Sequence, residues 1–383
     1  LDFHIPFHKP YTDEAEIIAA SKALRSGVLR GDGPQSRRMQ HIIQEDTGAK
    51  YAYLTTSCTH ALEIALMVLN IRAGDEIIMP SFTFVSSANA AVLNGATPVF
   101  ADICEGTLNM DMTDVVRKIT KRTRAIIPVH YAGVSVDMDV LKEISLAYGI
   151  PIIEDAAQGV DATHKNMHLG TLGDMGCYSF HDTKNITCGE GGALLTNNQD
   201  LARKIEIIRE KGTNRSAFLR GEVDRYTWVS QGSSYIQSDI LAAVLEAQWN
   251  KRAIIKKKRQ EVWQAYHTIL EPLEIAKWLS RPVIPSFAAS NYHTYFFTTR
   301  RTSDRDPLLQ EFKKSGIAAS FHYVPLHSSP FGKQIGADLY NLPKTDRLSS
   351  SLIRLPLYPA LAVDYPDYLT RIEEVLYRYF RRN

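Results

Sequence analysis

Gly176-Cys-Tyr-Ser-Phe-His-Asp-Thr-Lys-Asn-Ile-Thr-Cys-Gly-Glu-Gly-Gly192 opens with an apolar run, Gly176 to Phe180, that reads as a β-strand. It passes through a polar, Gly-rich turn, and a second strand, Ala193 to Thr196, follows almost at once. Lys184 therefore sits at a strand end. An ammonium buried there loses its hydration, and the usual escapes are a lowered pKa or a covalent partner. A Schiff base with an aldehyde cofactor supplies both. A surface lysine in a hairpin loop fits this stretch alone equally well.

Upstream, Pro151-Ile-Ile-Glu-Asp-Ala-Ala-Gln-Gly159 is an apolar strand ending in a carboxylate, with an amide three residues further on. A pyridinium ring accepts electrons only while its nitrogen stays protonated, and Asp155 is placed to keep it so. Gln158 can donate to the phenolate oxygen of the same ring. Taken in isolation, Asp155 serves equally well as a helix N-cap. An Asp at one strand end and a Lys at a later one, each preceded by apolar strand, form a constellation.

Asp155-Ala-Ala-Gln158, Ser179-Phe-His-Asp-Thr-Lys-Asn185 and Gly189-Glu-Gly-Gly192 closely resemble the motifs of the pyridoxal-phosphate (PLP) sugar aminotransferases of the DegT/DnrJ/EryC1/StrS family, essentially end to end. Lys211-Gly-Thr-Asn-Arg-Ser216, Val223-Asp-Arg-Tyr-Thr-Trp228 and Gly232-Ser-Ser-Tyr235 resemble the branch that makes dTDP-4-amino-4,6-dideoxygalactose for enterobacterial common antigen and lipopolysaccharide O-antigen. The resemblance implies an α/β protein of PLP aminotransferase fold type I. It would have a mostly parallel central sheet with helices on both faces and a smaller C-terminal α+β domain. Residues 1–245 would form the large PLP-binding domain and 246–383 the small one, with the linking helix. A homodimer with shared active sites is also implied.

Composition agrees with a soluble enzyme of this size. The chain has 383 residues, 44% hydrophobic and 22% charged, and its net charge of +2 gives no basic field for nucleic acid. Lys256-Lys-Lys-Arg259 reads as a solvated helix face rather than a polyanion site. Cys58, Cys104, Cys177 and Cys188 show no metal-ligand spacing, so no metal is expected and a reducing cytoplasm is the simpler reading. No apolar run is long enough to span a bilayer, and no signal-peptide pattern is present. Leu1-Asp-Phe-His4, without Met, is expected to be a trimmed or engineered start and is left out of the fold argument.

Along the chain, Asp13 is expected to cap a helix running through Ser26, and a loop, Gly27 to Gly33, follows. That loop fits a plain inter-helix turn, but the family places it near the sugar nucleotide, which marks Arg30 as a substrate residue. After the strand Tyr51 to Thr55, Ser57-Cys-Thr59 opens a helix, Ala61 to Leu69. Such a turn presents free N–H groups to a phosphate. Ordinary capping is the competing use, and the family match assigns the PLP phosphate to Ser57, Cys58 and Thr59.

Strands are expected at Glu76 to Met79, Thr97 to Ala101, Ala125 to Val129 and Pro151 to Glu154, alternating with helices such as Met112 to Ile119 and Val140 to Ala147. This alternation indicates a largely parallel sheet that binds ligands at the carboxyl ends of its strands. No GxGxxG follows the first strand, which disfavours a dinucleotide enzyme. By composition Phe84 would be core, whereas the family match stacks it on the pyridine ring. Ser179 lies in the matched motif and is assigned to the cofactor with it.

A helix over Gln199 to Lys211 leads to the segment 213–235. Most family members carry an Asn-Tyr pair where this chain has Ser234-Tyr235, and that Asn reaches the phosphate of the partner subunit's PLP. Ser234 is assigned that contact with its shorter hydroxyl, and Tyr235 is placed with the substrate. One long helix, Asp239 to about Leu270, is expected to link the domains. The rest offers strands at Tyr292 to Thr299 and Leu352 to Pro356 and a helix at Asp306 to Ser315. Phe321-His-Tyr-Val-Pro-Leu-His327 resembles the family segment that closes over the site, where His327 either meets the sugar nucleotide or is a structural loop histidine.

These readings imply transamination. Lys184 would carry PLP, take the α-proton of L-glutamate and later protonate the sugar carbon. By family analogy His181 and Glu190-Gly-Gly192 favour C4 of dTDP-4-keto-6-deoxy-D-glucose. The products would be dTDP-4-amino-4,6-dideoxy-D-galactose, or its gluco epimer, and 2-oxoglutarate. A PLP-dependent sugar dehydratase replaces the lysine with histidine, and a non-catalytic relative would not need Lys184, Asp155 and Gln158 together.

Overall fold

The computed structural model describes residues 4–382. Leu1, Asp2 and Phe3 of the opening tetrapeptide, and Asn383, lie outside it. Seven strands build the centre: β1 Tyr51–Thr55, β2 Glu76–Pro80, β3 Thr97–Ala101, β4 Thr123–Ile126, β5 Ile153–Asp155, β6 Met175–Ser179 and β7 Gly192–Thr196. They form the ladders β1-β7-β6-β5 and β3-β2-β4, and the parallel bridges Ile126–Ile152 and Val129–Asp155 join these into one sheet. Strand β7 is antiparallel to both β1 and β6, whereas β5 with β6 and β2 with both β3 and β4 are parallel. The sheet is thus mostly parallel, as expected. The link between β6 and β7, residues 180–191, contains no helix to carry a crossover, so that pair folds back as a hairpin.

Every residue of β2, β5, β6 and β7 is buried, which explains why apolar residues run on without alternation in β2, β6 and β7 and leave the acids to strand ends. Alternate side chains go to opposite faces: Ile77 and Met79 join one core and Ile78 the other, as do Leu194 and Leu195. Helices cover both faces. Among them are α1 Glu14–Ser26, α2 Pro34–Thr47, α3 Cys58–Val68, α4 Val85–Leu93, α5 Met112–Lys118, α6 Met138–Tyr148 and α7 Gln199–Arg209. Asp13 caps α1 as expected, and Glu16 completes a capping box with it.

The long linking helix is in fact two, α8 Asp239–Asn250 and α9 Arg252–Ile275, broken at Lys251. Lys251 is drawn aside to Glu16 at 2.5 Å and Asp13 at 3.1 Å. The break keeps Trp249 and Ile255 on the sheet core while Val262, Trp263 and Tyr266 enter a separate C-terminal core. That core packs α9, α10 Arg305–Lys314 and α11 Tyr368–Phe380 against an antiparallel sheet, β8 Leu279–Ser280, β9 Tyr295–Thr299 and β10 Leu352–Leu355. Strand β9 starts three residues later than its sequence suggests, because Tyr292 has φ 57°, in the left-handed region. The N-terminal segment reaches this core too, through Ile5 paired with Ile317.

Candidate active site

Because β1, β2, β5 and β6 run in one direction, their carboxyl ends share one edge of the sheet, and a cavity of about 440 Å³ opens there. Lys184 reaches it from the β6–β7 link. That loop is pinned by Phe180 N–H to Gly191 O at 2.8 Å, Asp182 N–H to Gly189 O at 2.9 Å and Cys188 N–H to Phe180 O at 3.0 Å. Asn185 ties it across to the C-terminal core, donating to Asn291 O and meeting His293 Nδ1, both at 2.9 Å. Lys184 is therefore no hairpin-surface lysine. Burial around its amine lowers its pKa; Cys58 and Asp155 oppose this and Arg354 adds to it.

Asp155, only 5% exposed, accepts from Ser87 Oγ at 2.6 Å and from Ala157 N–H at 3.2 Å. No helix follows it, so the N-cap reading falls away. Gln158 accepts from Ala132 N–H at 2.7 Å and donates from Nε2 to Tyr323 Oη at 3.2 Å, which leaves one amide hydrogen for a ligand. Ser179 lines the same cavity.

At the start of α3, Ser57 Oγ accepts from His60 N–H at 3.1 Å and Ser57 O from Ala61 N–H at 3.1 Å. Capping therefore takes place, but it leaves the N–H groups of Cys58 and Thr59 ahead of the first helical bond, in the cavity lining. Gly192 makes this cradle possible. A Cβ there would stand 2.4 Å from the Ser57 carbonyl carbon and 2.5 Å from Cys58 N. Phe84 is 60% exposed and lines the cavity rather than the core. His181 lines it as well, with Nε2 3.6 Å from Glu190.

Four expected substrate or cofactor residues lie elsewhere on this chain. His327 follows its structural alternative on this chain: it is 4% exposed, its Nδ1 meets Ser81 Oγ at 2.7 Å and its Nε2 meets Asp346 at 3.3 Å, outside the cavity. Arg30 is exposed and does not line the cavity. Tyr235 is buried with its hydroxyl on Glu63 at 3.3 Å, and exposed Ser234 bridges to Glu210.

The structure supplies several residues that the motifs did not flag. Phe7 and His8 come from the N-terminal segment, and His8 Nε2 meets Asp182 O at 2.8 Å. Within the flagged segment 321–327, His322 rather than His327 lines the cavity, stacked on Tyr323 at 3.9 Å. Burial pushes the His322 pKa down to about 2, so its ring is neutral. Arg259 was placed on a solvated face. It is buried instead, its Nε donating to Tyr292 O at 3.0 Å and its Nη2 to His293 O. Its signal was its setting, the last residue of a basic run at helical spacing from Ile255, Val262 and Trp263, on the buried face of α9.

A half-buried lysine amine without an ion pair among the described residues, a buried carboxylate and a helix-start anion cradle at the carboxyl edge of this sheet define a PLP-dependent aminotransferase. The residues present fit that cofactor: N–H donors for a phosphate, Asp155 for a ring nitrogen, Lys184 for an aldehyde carbon. Residues 10–372 match the DegT/DnrJ/EryC1/StrS aminotransferase family, and the chain belongs to it. It is 35% identical over 367 residues to the uncharacterized protein MJ1066 of Methanocaldococcus jannaschii, covering 94% of each chain. Among solved structures it is similar to Spr1654 of Streptococcus pneumoniae, assigned as a sugar aminotransferase, at 27% identity, TM-score 0.90 and 99% coverage of both chains. Spr1654 is also known in PLP and PMP forms. The aminotransferase TlmJ of Streptoalloteichus hindustanus is likewise similar, at 27% identity, TM-score 0.88 and coverage of 97% of this chain and 98% of that one. Among the described residues, no helix is long and apolar enough to cross a membrane.

Proposed function

We propose that this sugar aminotransferase transfers the amino group of L-glutamate to C4 of dTDP-4-keto-6-deoxy-D-glucose, giving dTDP-4-amino-4,6-dideoxy-D-galactose and 2-oxoglutarate. The observation that carries the reading is the Lys184 amine, half-buried, in no ion pair among the described residues and sharing one cavity with Asp155. Bound PLP would supply an electron sink for the carbon that loses its proton. The Cys58 and Thr59 N–H groups, with the Thr59 hydroxyl, would hold the phosphate. Asp155 would keep the ring nitrogen protonated, and the remaining Gln158 hydrogen would meet the ring oxygen. Phe84 would cover one ring face. Lys184 would take the donor's α-proton at Nζ and later deliver a proton to the sugar carbon. His181 and Glu190 at the cavity wall favour C4 by resemblance to the motif.

A homodimer is proposed on separate grounds. Trp228 is 77% exposed, with Tyr226 at 53% and Val229 at 50%, an apolar run that a second copy would cover. Ser234 and Arg30, both exposed, would then serve the partner's site, and buried Tyr235 would support them. In this reading residues 1–245 carry the cofactor and 246–383 close the cavity, in a cytoplasmic enzyme of antigen-sugar synthesis. The test is proton NMR of the product formed from dTDP-4-keto-6-deoxy-D-glucose, L-glutamate and PLP. A small H3–H4 coupling means an axial amine and the galacto product. A large coupling means the gluco epimer, and absence of an aminosugar overturns the substrate.

A further inference from the structure

The charges around the cavity do not balance. Its acids are Asp155, which already serves Ser87 and Ala157 N–H, and Glu190 beside His181. Its strong cations are Lys184, Arg259 and Arg354. Arg259 is committed to backbone carbonyls. Arg354 is not. Its Nε is closed off from solvent without a hydrogen-bond partner among the described residues, and Nη2 makes one long contact, 3.4 Å to Phe321 O.

A guanidinium in such a place loses hydration without recovering it, unless an anion arrives. The neighbouring oxygens are phenols: burial raises the Tyr323 pKa to about 12 and that of Tyr131 further, so both are neutral. The planar fork is fixed from behind, with Cζ 4.6 Å from the centre of the Phe7 ring. From β10 the side chain projects into the cavity near enough to Lys184 to disfavour its protonation.

We propose that Arg354 binds the α-carboxylate of the amino donor through paired N–H bonds. This rests on the transamination reading. The anion chemistry is shared by carboxylate and diphosphate, and position favours the carboxylate. An α-carboxylate is one bond from the carbon whose proton Lys184 takes, whereas the nucleotide diphosphate is held away from C4 by the whole sugar ring. Paired N–H bonds to a planar carboxylate also use the fork that the Phe7 ring orients.

The test uses the PLP holoenzyme in single turnovers that separate the two halves of the reaction. Arg354→Gln should raise the apparent Kd for L-glutamate about 10- to 100-fold, the loss of charge-assisted hydrogen bonds, with the nucleotide-sugar half unchanged. Calorimetric titration of glutarate, which has carboxylates and no amine, should weaken in parallel. Arg354→Lys, which keeps the charge for folding but lacks the fork, should fall between. Equal glutamate and glutarate affinities in wild type and both variants overturn the proposal, and a loss confined to the nucleotide sugar assigns Arg354 to the diphosphate. If glutamate fails to bleach the wild-type colour while glutarate binding still depends on Arg354, the donor reading fails and the carboxylate site stands.

Discussion

Ser87 donates its hydroxyl to Asp155 Oδ2 at 2.6 Å, so the carboxylate assigned to the cofactor ring is aimed by a side chain from the first turn of α4. A hydrogen bond to a charged acceptor is worth about 1.5–3 kcal/mol. Ser87→Ala should therefore weaken PLP binding about 10-fold or more, measured by fluorescence titration of the cofactor-free protein, with its unfolding midpoint little changed.

Lys184→Ala should abolish the yellow colour that forms with PLP and lower turnover roughly 10⁴-fold. The depressed pKa has a sign that can be checked. The free amine becomes neutral below the ordinary 10.5, so PLP capture by the cofactor-free protein should rise with pH through a midpoint under that value. Asp155 works the other way on the amine, so Asp155→Asn should move the midpoint lower still.

Glu154, next to the cofactor carboxylate, is a structural hub. Its carboxylate meets His130 Nε2 at 2.9 Å and accepts from the N–H groups of Gly170, Leu172 and Gly173 at 2.8, 2.7 and 2.6 Å. Burial works to raise its pKa, but His130 and the backbone amides together hold it below 4.5. Its stabilisation is therefore complete above the unfolded value, about 4.3, and is lost as pH falls through the lower folded value. Glu154→Gln should cost roughly 3–5 kcal/mol at pH 7 in denaturant unfolding, and the gap from wild type should narrow as the pH drops below that window.

Trp228→Asp tests the second copy. A hot-spot aromatic lost from an interface costs about 2 kcal/mol or more. If the proposed homodimer forms, the wild-type protein should sediment as a dimer and the variant, at the same concentration, as a monomer.

The sheet was legible because buried parallel strands are continuous apolar runs with polar ends, and those ends are the site. Asp155, Gln158 and Lys184 could be read from the residues themselves, as could a phosphate use for the turn at Ser57 to Thr59, whereas Ser179 came only with the family motif. Residues that reach the cavity from far along the chain could not. Arg354 sits in an ordinary apolar strand and His8 in a segment without pattern; only the packing of the C-terminal core brings them to Lys184. Nothing in the sequence of the loop 321–327 separates His322, which lines the cavity, from His327, because burial against Ser81 and Asp346 leaves no trace there. The break at Lys251 was hidden because the acids that hold its amine, Asp13 at the cap of α1 and Glu16 in its first turn, lie far away in the chain.

Phe7 beneath Arg354, and Ile5 paired with Ile317, join the first residues described to the last third of the chain. On the ribosome the N-terminal strands can collapse as they emerge, but the wall opposite Lys184 does not exist until β10 has left the exit tunnel. Cofactor capture in a complete cavity is consequently one of the last events in the life of a nascent chain, and a transcript cut short before Arg354 yields a polypeptide that carries the lysine without the cationic wall of its pocket.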